Sequence, residues 1–127
     1  MSNENLTNME LLELAAKAAG YDVFEWTLDG DLKIKLPSGK EFLWNPLQDD
    51  GDALRLAVLL QLTITNEHIN SGVAYCSSFD DMDEITYSQV SSGTDESYIL
   101  DEDYAATRKA IVIAAVEKYK LGKINLV

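Results

Sequence analysis

Cysteine and histidine are scarce in this sequence, and their scarcity excludes several kinds of chemistry. Cys76 is the only cysteine in 127 residues, so no internal disulfide can form, which is typical of proteins in a reducing compartment. A catalytic cysteine needs a neighbouring base. The only histidine, His68, lies in a polar turn, and no pattern places it beside Cys76. Cys76 is therefore interpreted as a half-buried core thiol.

Long apolar runs and catalytic motifs are also absent. Residues 1–10 lack the basic and apolar regions of a secretory signal, and no apolar run approaches the ~20 residues of a membrane span. The sequence has no G-x-x-x-x-G-K-[ST], G-x-S-x-G or H-E-x-x-H motif. These absences predict a cytoplasmic protein that is not an enzyme, uses no cofactor and does not bind membranes.

Basic residues are few, and one long segment has none. The formal net charge is −12, from 10 Lys and Arg against 22 Asp and Glu. No Lys or Arg lies between Arg55 and Arg108, whereas carboxylates are frequent there. Such acidity repels nucleic acid directly and favours basic protein surfaces as partners.

The pattern of apolar residues predicts the elements of the amino-terminal half. With 46% hydrophobic residues the chain can bury a core. Leucines and alanines on one face of residues 9–19 predict a helix that is capped by Asn8 and ends at Gly20. Period-two alternation and two turns over residues 21–44 predict three antiparallel strands, with Leu32, Ile34 and Leu36 facing inward.

The second half repeats the change from strand to helix periodicity. Asn45-Pro46 ends the third strand, and a middle helix follows, capped by Asp50 or Asp52, with Leu54 and Val58 facing a sheet beside Ala57 and Leu60. Residues 62–65 fit a short strand or a helix exit. Residues 73–78 and 84–90 predict two strands joined by an acidic linker, and residues 101–123 predict a helix ending at Gly122.

Together these elements predict a single α+β domain over residues 1–127, with residues 1–7 frayed. Its antiparallel sheet has about five strands, and helices at the amino terminus, in the middle and at the carboxyl terminus pack on it.

The acidic residues of the second half permit three interpretations. In these interpretations they serve solubility and helix capping, hold a divalent metal, or bind a basic partner. The clusters "DDMDE" and "DDGD" lack the spacing of an EF-hand, so no metal site is predicted. The residues predicted to bind a partner are Asp80, Asp81, Asp83, Glu84, Asp95, Glu96, Tyr98, Asp101, Glu102 and Asp103.

Aromatic residues accompany these carboxylates. Tyr75, Tyr87, Phe79 and Met82 either join Tyr98 in a contact patch or fill the sheet by cross-strand pairing. Trp26 and Trp44 end two strands of the first half, and structural packing is predicted for both.

Three segments resemble a known family. "ELLELAAKAAGY", "WNPLQDDGDALRLAVLLQLTI" and "ATRKAIVIAAVEKYK" are similar to segments of the small bacteriophage and prophage proteins described as phage ABA-sandwich domains. The resemblance implies a phage or prophage product in a bacterial cytoplasm, and it brings no catalytic residues. By analogy, an acidic accessory protein of this kind inhibits a host defence complex, as an anti-CRISPR protein or nucleic-acid mimic does. The alternative is a structural or self-assembling phage protein, with a homodimer formed through a sheet edge or the alanine-rich last helix.

Overall fold

The computed structural model describes residues 6–67, 73–80, 83–91 and 101–120, with the backbone alone for residues 78–80 and 83–91. Its helices are α1 (Asn8–Ala18), α2 (Asp50–Leu59) and α3 (Asp101–Lys120). Its strands are β1 (Asp22–Trp26), β2 (Leu32–Lys35), β3 (Glu41–Trp44), β4 (Thr63–Glu67), β5 (Val73–Asp80) and β6 (Asp83–Ser91). The predicted α+β class and antiparallel pairing are confirmed, and the helices pack on the strands.

Within the described residues, the strands divide between two sheets. The first sheet has the order β1-β2-β3 and the second the order β4-β5-β6, and every pairing is antiparallel. The sequence predicted one sheet of about five strands. Helix α2 separates β3 from β4 in the chain, and the three consecutive strands on each side of it pair with one another.

The first sheet follows the predicted alternation in β2 but not in β1. Leu32 and Ile34 are fully buried, as predicted. In β1 the register shifts between Val23 and Glu25, so Phe24 is an extra residue and its side chain is exposed. A bulge of this kind adds one residue to the edge strand and interrupts strict alternation.

The cap of α1 lies one residue before the predicted one. The Thr7 hydroxyl accepts a hydrogen bond from the Glu10 amide at 3.1 Å, and the Glu10 carboxylate accepts one from the Thr7 amide at 3.0 Å. This reciprocal capping box satisfies two helix-end donors, so Thr7 and not Asn8 is the cap. Gly20, with φ of +78°, follows the end of the helix as predicted.

The corner between β3 and α2 is held by carboxylates. Asp49 caps α2 by accepting from the Asp52 amide at 2.8 Å, so the predicted caps Asp50 and Asp52 are wrong. The buried Asp52 carboxylate instead accepts from the Asn45 amide at 3.0 Å and from Arg55 Nη2 at 2.7 Å. Asp52 therefore ties the end of the strand to the first turn of the helix.

The middle of helix α3 is buried around most of its circumference. Residues 110–112 and 114–116 are all buried, and at 100° per residue they cover about two thirds of the helix circumference. The helix packs against α1, α2 and the second sheet. Small alanine side chains permit these close approaches. Gly122, the predicted end of the helix, lies outside the described residues.

The buried face of α2 differs from the predicted one. Leu54 and Val58 were predicted to face a sheet, but they are 58% and 69% exposed. The buried apolar residues of the helix and its cap are Ala53, Leu56, Ala57 and Leu60. Because α2 is apolar on several sides, its packing against α3 decides which side is buried.

We expect Ala114→Leu to destabilise the protein by about 1–3 kcal/mol, because a larger side chain has no space beside a fully buried alanine. Chemical denaturation would measure this loss. The matched control is Ala105→Leu, an exposed site on the same helix, which should be nearly neutral. Equal effects of the two substitutions would contradict the close packing of α3.

Candidate functional site

The acidic linker predicted for residues 79–84 is largely strand. Strand β5 continues to Asp80 and β6 begins at Asp83, and these two residues are paired across the ladder. The preceding pair joins Phe79 to Glu84. The predicted linker was too long because carboxylates have low strand propensity, whereas antiparallel pairing extends both strands through them.

The structure describes some of the predicted partner-binding residues in more detail than others. It gives the backbone positions of Asp80, Asp83 and Glu84 at one end of the β5–β6 hairpin. Asp101 and Glu102 are exposed in the first turn of α3, where the helix dipole favours carboxylates. The predicted residues outside the described part of the chain are Asp81, Asp95, Glu96 and Tyr98.

Asp103 does not belong to an exposed acidic surface. Its side chain is only 1% exposed, so its prediction as a partner-binding residue is corrected. The helical turn points the Asp103 side chain toward the interior, whereas its neighbours Asp101 and Glu102 are exposed. A carboxylate buried to this extent cannot meet the surface of another protein unless the helix end rearranges.

A groove lies beside the start of α3. It opens between α2, β4 and α3 and has a volume of about 410 Å³. Its walls are mainly apolar: Ala53, Leu54, Ile64, Tyr104 and Ile111. The volume lies within the range of about 300–1,000 Å³ that is usual for binding pockets.

Polar contacts hold the walls of this groove together. The Thr107 hydroxyl and the Asn66 side-chain oxygen are 2.6 Å apart, which joins α3 to β4. Arg108 donates through Nε to the Leu47 carbonyl at 2.9 Å and through Nη1 to Asp50 Oδ1 at 2.6 Å, which joins α3 to the start of α2. Charge-assisted bonds of this length favour a preformed groove.

Exposed carboxylates adjoin the groove. The Asp50 side chain is 73% exposed. Asp101 precedes Tyr104 by three residues and Arg108 by seven, so all three lie along the same side of α3. Arg108 is the cation that lines the groove, and its side chain is 17% exposed and paired with Asp50. Asp101 therefore contributes negative charge beside the groove that Arg108 does not neutralise, whereas Glu102 projects from a different side of α3.

The sequence prediction did not identify the groove residues. Leu54 was assigned to the core, and Tyr104 was given no functional role. A usable signal was the surplus of apolar residues in α2, which has more of them than one buried face requires. The element against which α2 packs decides which of these apolar side chains remain exposed.

A second, polar cleft lies at the β3–α2 corner and includes Asp31, Asp49 and Asp52. Asp31 accepts a hydrogen bond from Asn45 Nδ2 at 3.0 Å, and Asp49 and Asp52 hold the helix start. Among the residues that the structure describes, no group of three or more His, Cys, Asp or Glu side chains is arranged to hold a metal ion. We interpret this cleft as structural.

Trp44, Tyr21 and Cys76 have packing roles. Trp44 is buried, and its ring makes an edge contact with Tyr21 at a centroid distance of 5.6 Å. Burial raises the pKa of Tyr21, an effect that Arg55 opposes and Asp52 reinforces. Cys76 is fully buried, and not half-buried as predicted, and burial raises the pKa of its thiol to about 12.

We expect Arg108→Met to lower the free energy of unfolding by about 1–3 kcal/mol, because it removes charge-assisted hydrogen bonds to Leu47 and Asp50 while keeping an apolar stem. Thermal and chemical denaturation would measure this. Lys109→Met is the control, since it removes the same charge from an exposed neighbouring site. If both variants are equally stable, Arg108 does not hold the groove walls together.

We expect Cys76 to resist alkylation by iodoacetamide at pH 8 in the folded protein. The thiolate is the reactive form, and a pKa of about 12 keeps its population low, while burial blocks access. Mass spectrometry would follow modification with and without denaturant. Rapid modification of the folded protein would contradict the described environment of Cys76.

Comparison of the chain with protein-family models, curated proteins and solved structures finds no match. No helix in the described part of the chain has the length and apolar character needed to cross a membrane.

Proposed function

We propose that this protein is a non-enzymatic binding protein whose acidic surface docks on a basic surface of another protein. The observation that carries the proposal is a preformed, mainly apolar groove that has the exposed Asp50 in its lining and the exposed Asp101 on the same side of α3 as Tyr104 and Arg108. Charge next to an apolar recess suits protein recognition, in which charges steer encounter and apolar contacts hold the complex.

The charge of the whole chain supports this kind of partner. With a formal net charge of −12, the protein attracts basic surfaces over a distance and repels anionic ones. Carboxylates spaced along a hairpin end and a helix start can occupy positions on a basic surface that phosphates would otherwise take. The association is expected to weaken as salt is added, since long-range attraction is screened.

The hydrogen bonds among the groove residues also support a binding role. Arg108 is engaged by Asp50 and the Leu47 carbonyl, and the Asn66 oxygen is engaged by Thr107. Groups that are already hydrogen-bonded to the protein are suited to shaping a surface.

The resemblance to phage ABA-sandwich proteins supports a more specific proposal. The protein would act in a bacterial cytoplasm as a phage or prophage accessory protein. Its target would be a host defence complex whose basic surface normally holds nucleic acid, and occupation of that surface would inhibit the complex. No covalent step is required for inhibition of this kind.

The alternative of self-assembly through the last helix receives no support from the fold. Ala110, Ala114 and Ala115 are fully buried within the protein, so the alanine-rich side of α3 is already covered. A homodimer would need another surface, such as the exposed apolar residues of α2.

We expect charge removal to abolish capture of the partner from lysate of the bacterial host. One variant carries Asp101→Asn and Glu102→Gln, and a second carries Asp80→Asn, Asp81→Asn, Asp83→Asn and Glu84→Gln. Binding of the partner recovered with the wild-type protein should weaken by about tenfold or more, or about 1.4 kcal/mol, in at least one variant. Its dependence on salt should decrease as well.

The matched control is Asp22→Asn with Glu41→Gln, which removes one Asp and one Glu from exposed sites of the first sheet. This variant should retain the partner. Recovery of the same partner by both charge variants, with unchanged affinity and unchanged salt dependence, would refute the acidic-surface proposal.

A further inference from the structure

A side-chain amide in the wall of the groove has hydrogen-bonding capacity that the protein does not use. The Asn66 side-chain oxygen and the Thr107 hydroxyl lie 2.6 Å apart, and both residues line the groove. An amide side chain also carries two N–H donors. Among the residues that the structure describes, none accepts a hydrogen bond from Asn66 Nδ2. The wall therefore offers a donor to a molecule that enters the groove.

The charged side chains that line the groove are already engaged. Arg108 Nη1 donates to Asp50 Oδ1 at 2.6 Å, so two of the formal charges oppose each other within the lining. Asp103 is buried and takes part in a polar interaction within the protein. A charged ligand would lose hydration in the groove without gaining a countercharge that is not already paired. The lining therefore favours a neutral ligand.

The remaining walls are apolar, and part of their surface is open to water. Ala53 and Ile111 are buried, whereas Leu54 and Tyr104 are each more than half exposed. Covering this apolar surface would favour binding. The hydrogen bonds between the helices and β4 form without a ligand, so little rearrangement is needed to admit one. A volume of about 410 Å³ suits a small molecule.

We propose that the groove between α2, β4 and α3 binds a neutral, mainly apolar small molecule whose carbonyl oxygen accepts a hydrogen bond from Asn66 Nδ2. The apolar body of the ligand packs against Leu54 and Tyr104. An occupant without an acceptor would cover the Asn66 amide and leave its donor unsatisfied, which is unfavourable. The inference goes beyond the proposed function, because it concerns a ligand that the protein binds in the absence of any partner.

The test titrates the full chain with small probes at physiological ionic strength, where long-range attraction to the acidic chain is screened. Acetophenone is neutral and has a carbonyl oxygen, and ethylbenzene is the same molecule with a methylene in place of the carbonyl group. Benzoate and benzamidinium are of similar size and carry negative and positive charge. Amide chemical shifts report where each probe binds.

We expect acetophenone to give saturable shifts at residues that line the groove, namely Ala53, Ile64, Asn66, Tyr104 and Ile111. Each charged probe should bind there about tenfold more weakly or worse, because neither finds an unpaired countercharge. The shifts of the first sheet should not change with any neutral probe.

Asn66→Asp tests the hydrogen bond with little change of shape. The substitution keeps an oxygen for Thr107 and replaces the N–H donor by a second oxygen. We expect acetophenone to bind about fivefold more weakly and ethylbenzene to be nearly unaffected. The matched control is Gln61→Glu, which makes the same amide-to-acid change at an exposed site outside the groove lining and should alter neither affinity.

Leu54→Ala with Tyr104→Ala tests the apolar walls. This double variant should weaken acetophenone and ethylbenzene alike, by about tenfold, because both probes lose apolar contact. Its matched control is Leu28→Ala with Phe24→Ala, which removes one aliphatic and one aromatic side chain that are exposed elsewhere and should leave binding unchanged.

Several results would overturn the inference. Acetophenone might give no saturable shift at the groove, or a charged probe might bind there as tightly. An equal loss of both neutral probes in Asn66→Asp, or no loss of either, would refute the hydrogen bond that defines the ligand. A wild-type dimer in light scattering, converted to monomer by the Leu54 and Tyr104 variant, would mean that a second copy occupies the groove. These results are independent of the acidic-surface proposal, whose charge variants leave the groove lining intact.

Discussion

Two cations of α3 hold α2 at both of its ends. Arg108 binds the Leu47 carbonyl and Asp50 at the start of α2, and Lys118 donates to the Leu60 carbonyl at its end, at 2.7 Å. The two helices therefore run in the same direction. Lys118 supplies the positive charge that the last turn of α2 lacks, which the helix dipole favours. This pairing determines which side of α2 is buried.

The groove follows from the same pairing. With Ala53 and Ala57 turned inward, the larger Leu54 and Val58 remain at the surface beside β4 and Tyr104. Burying the larger side chains would favour stability, since each buried methylene contributes about 0.8 kcal/mol. The small residues of α2 and α3 instead permit close helix packing, and the fold leaves apolar surface exposed next to exposed carboxylates. Such an arrangement suits a surface that is covered by a partner.

Local sequence patterns were most accurate for the elements that bury only one side. The buried side of α1 and the alternation of β2 were correct because each packs one side against the core. The caps were misplaced by a residue at Asn8 and at Asp50, because several neighbouring side chains can accept the same amide hydrogen. The acidic segment was recognised from its charge, but the burial of Asp103 was not, because a carboxylate normally indicates exposure.

The sequence by itself determined the α+β class, the antiparallel pairing and the concentration of negative charge in the second half, because periodicity and charge are local properties of the chain. The tertiary structure alone decided that the described strands form two sheets, that the middle of α3 is buried around most of its circumference and that Leu54 and Val58 face outward. A helix that is apolar on several sides offers several surfaces for packing. Only its contacts with α3, distant in sequence, select among them.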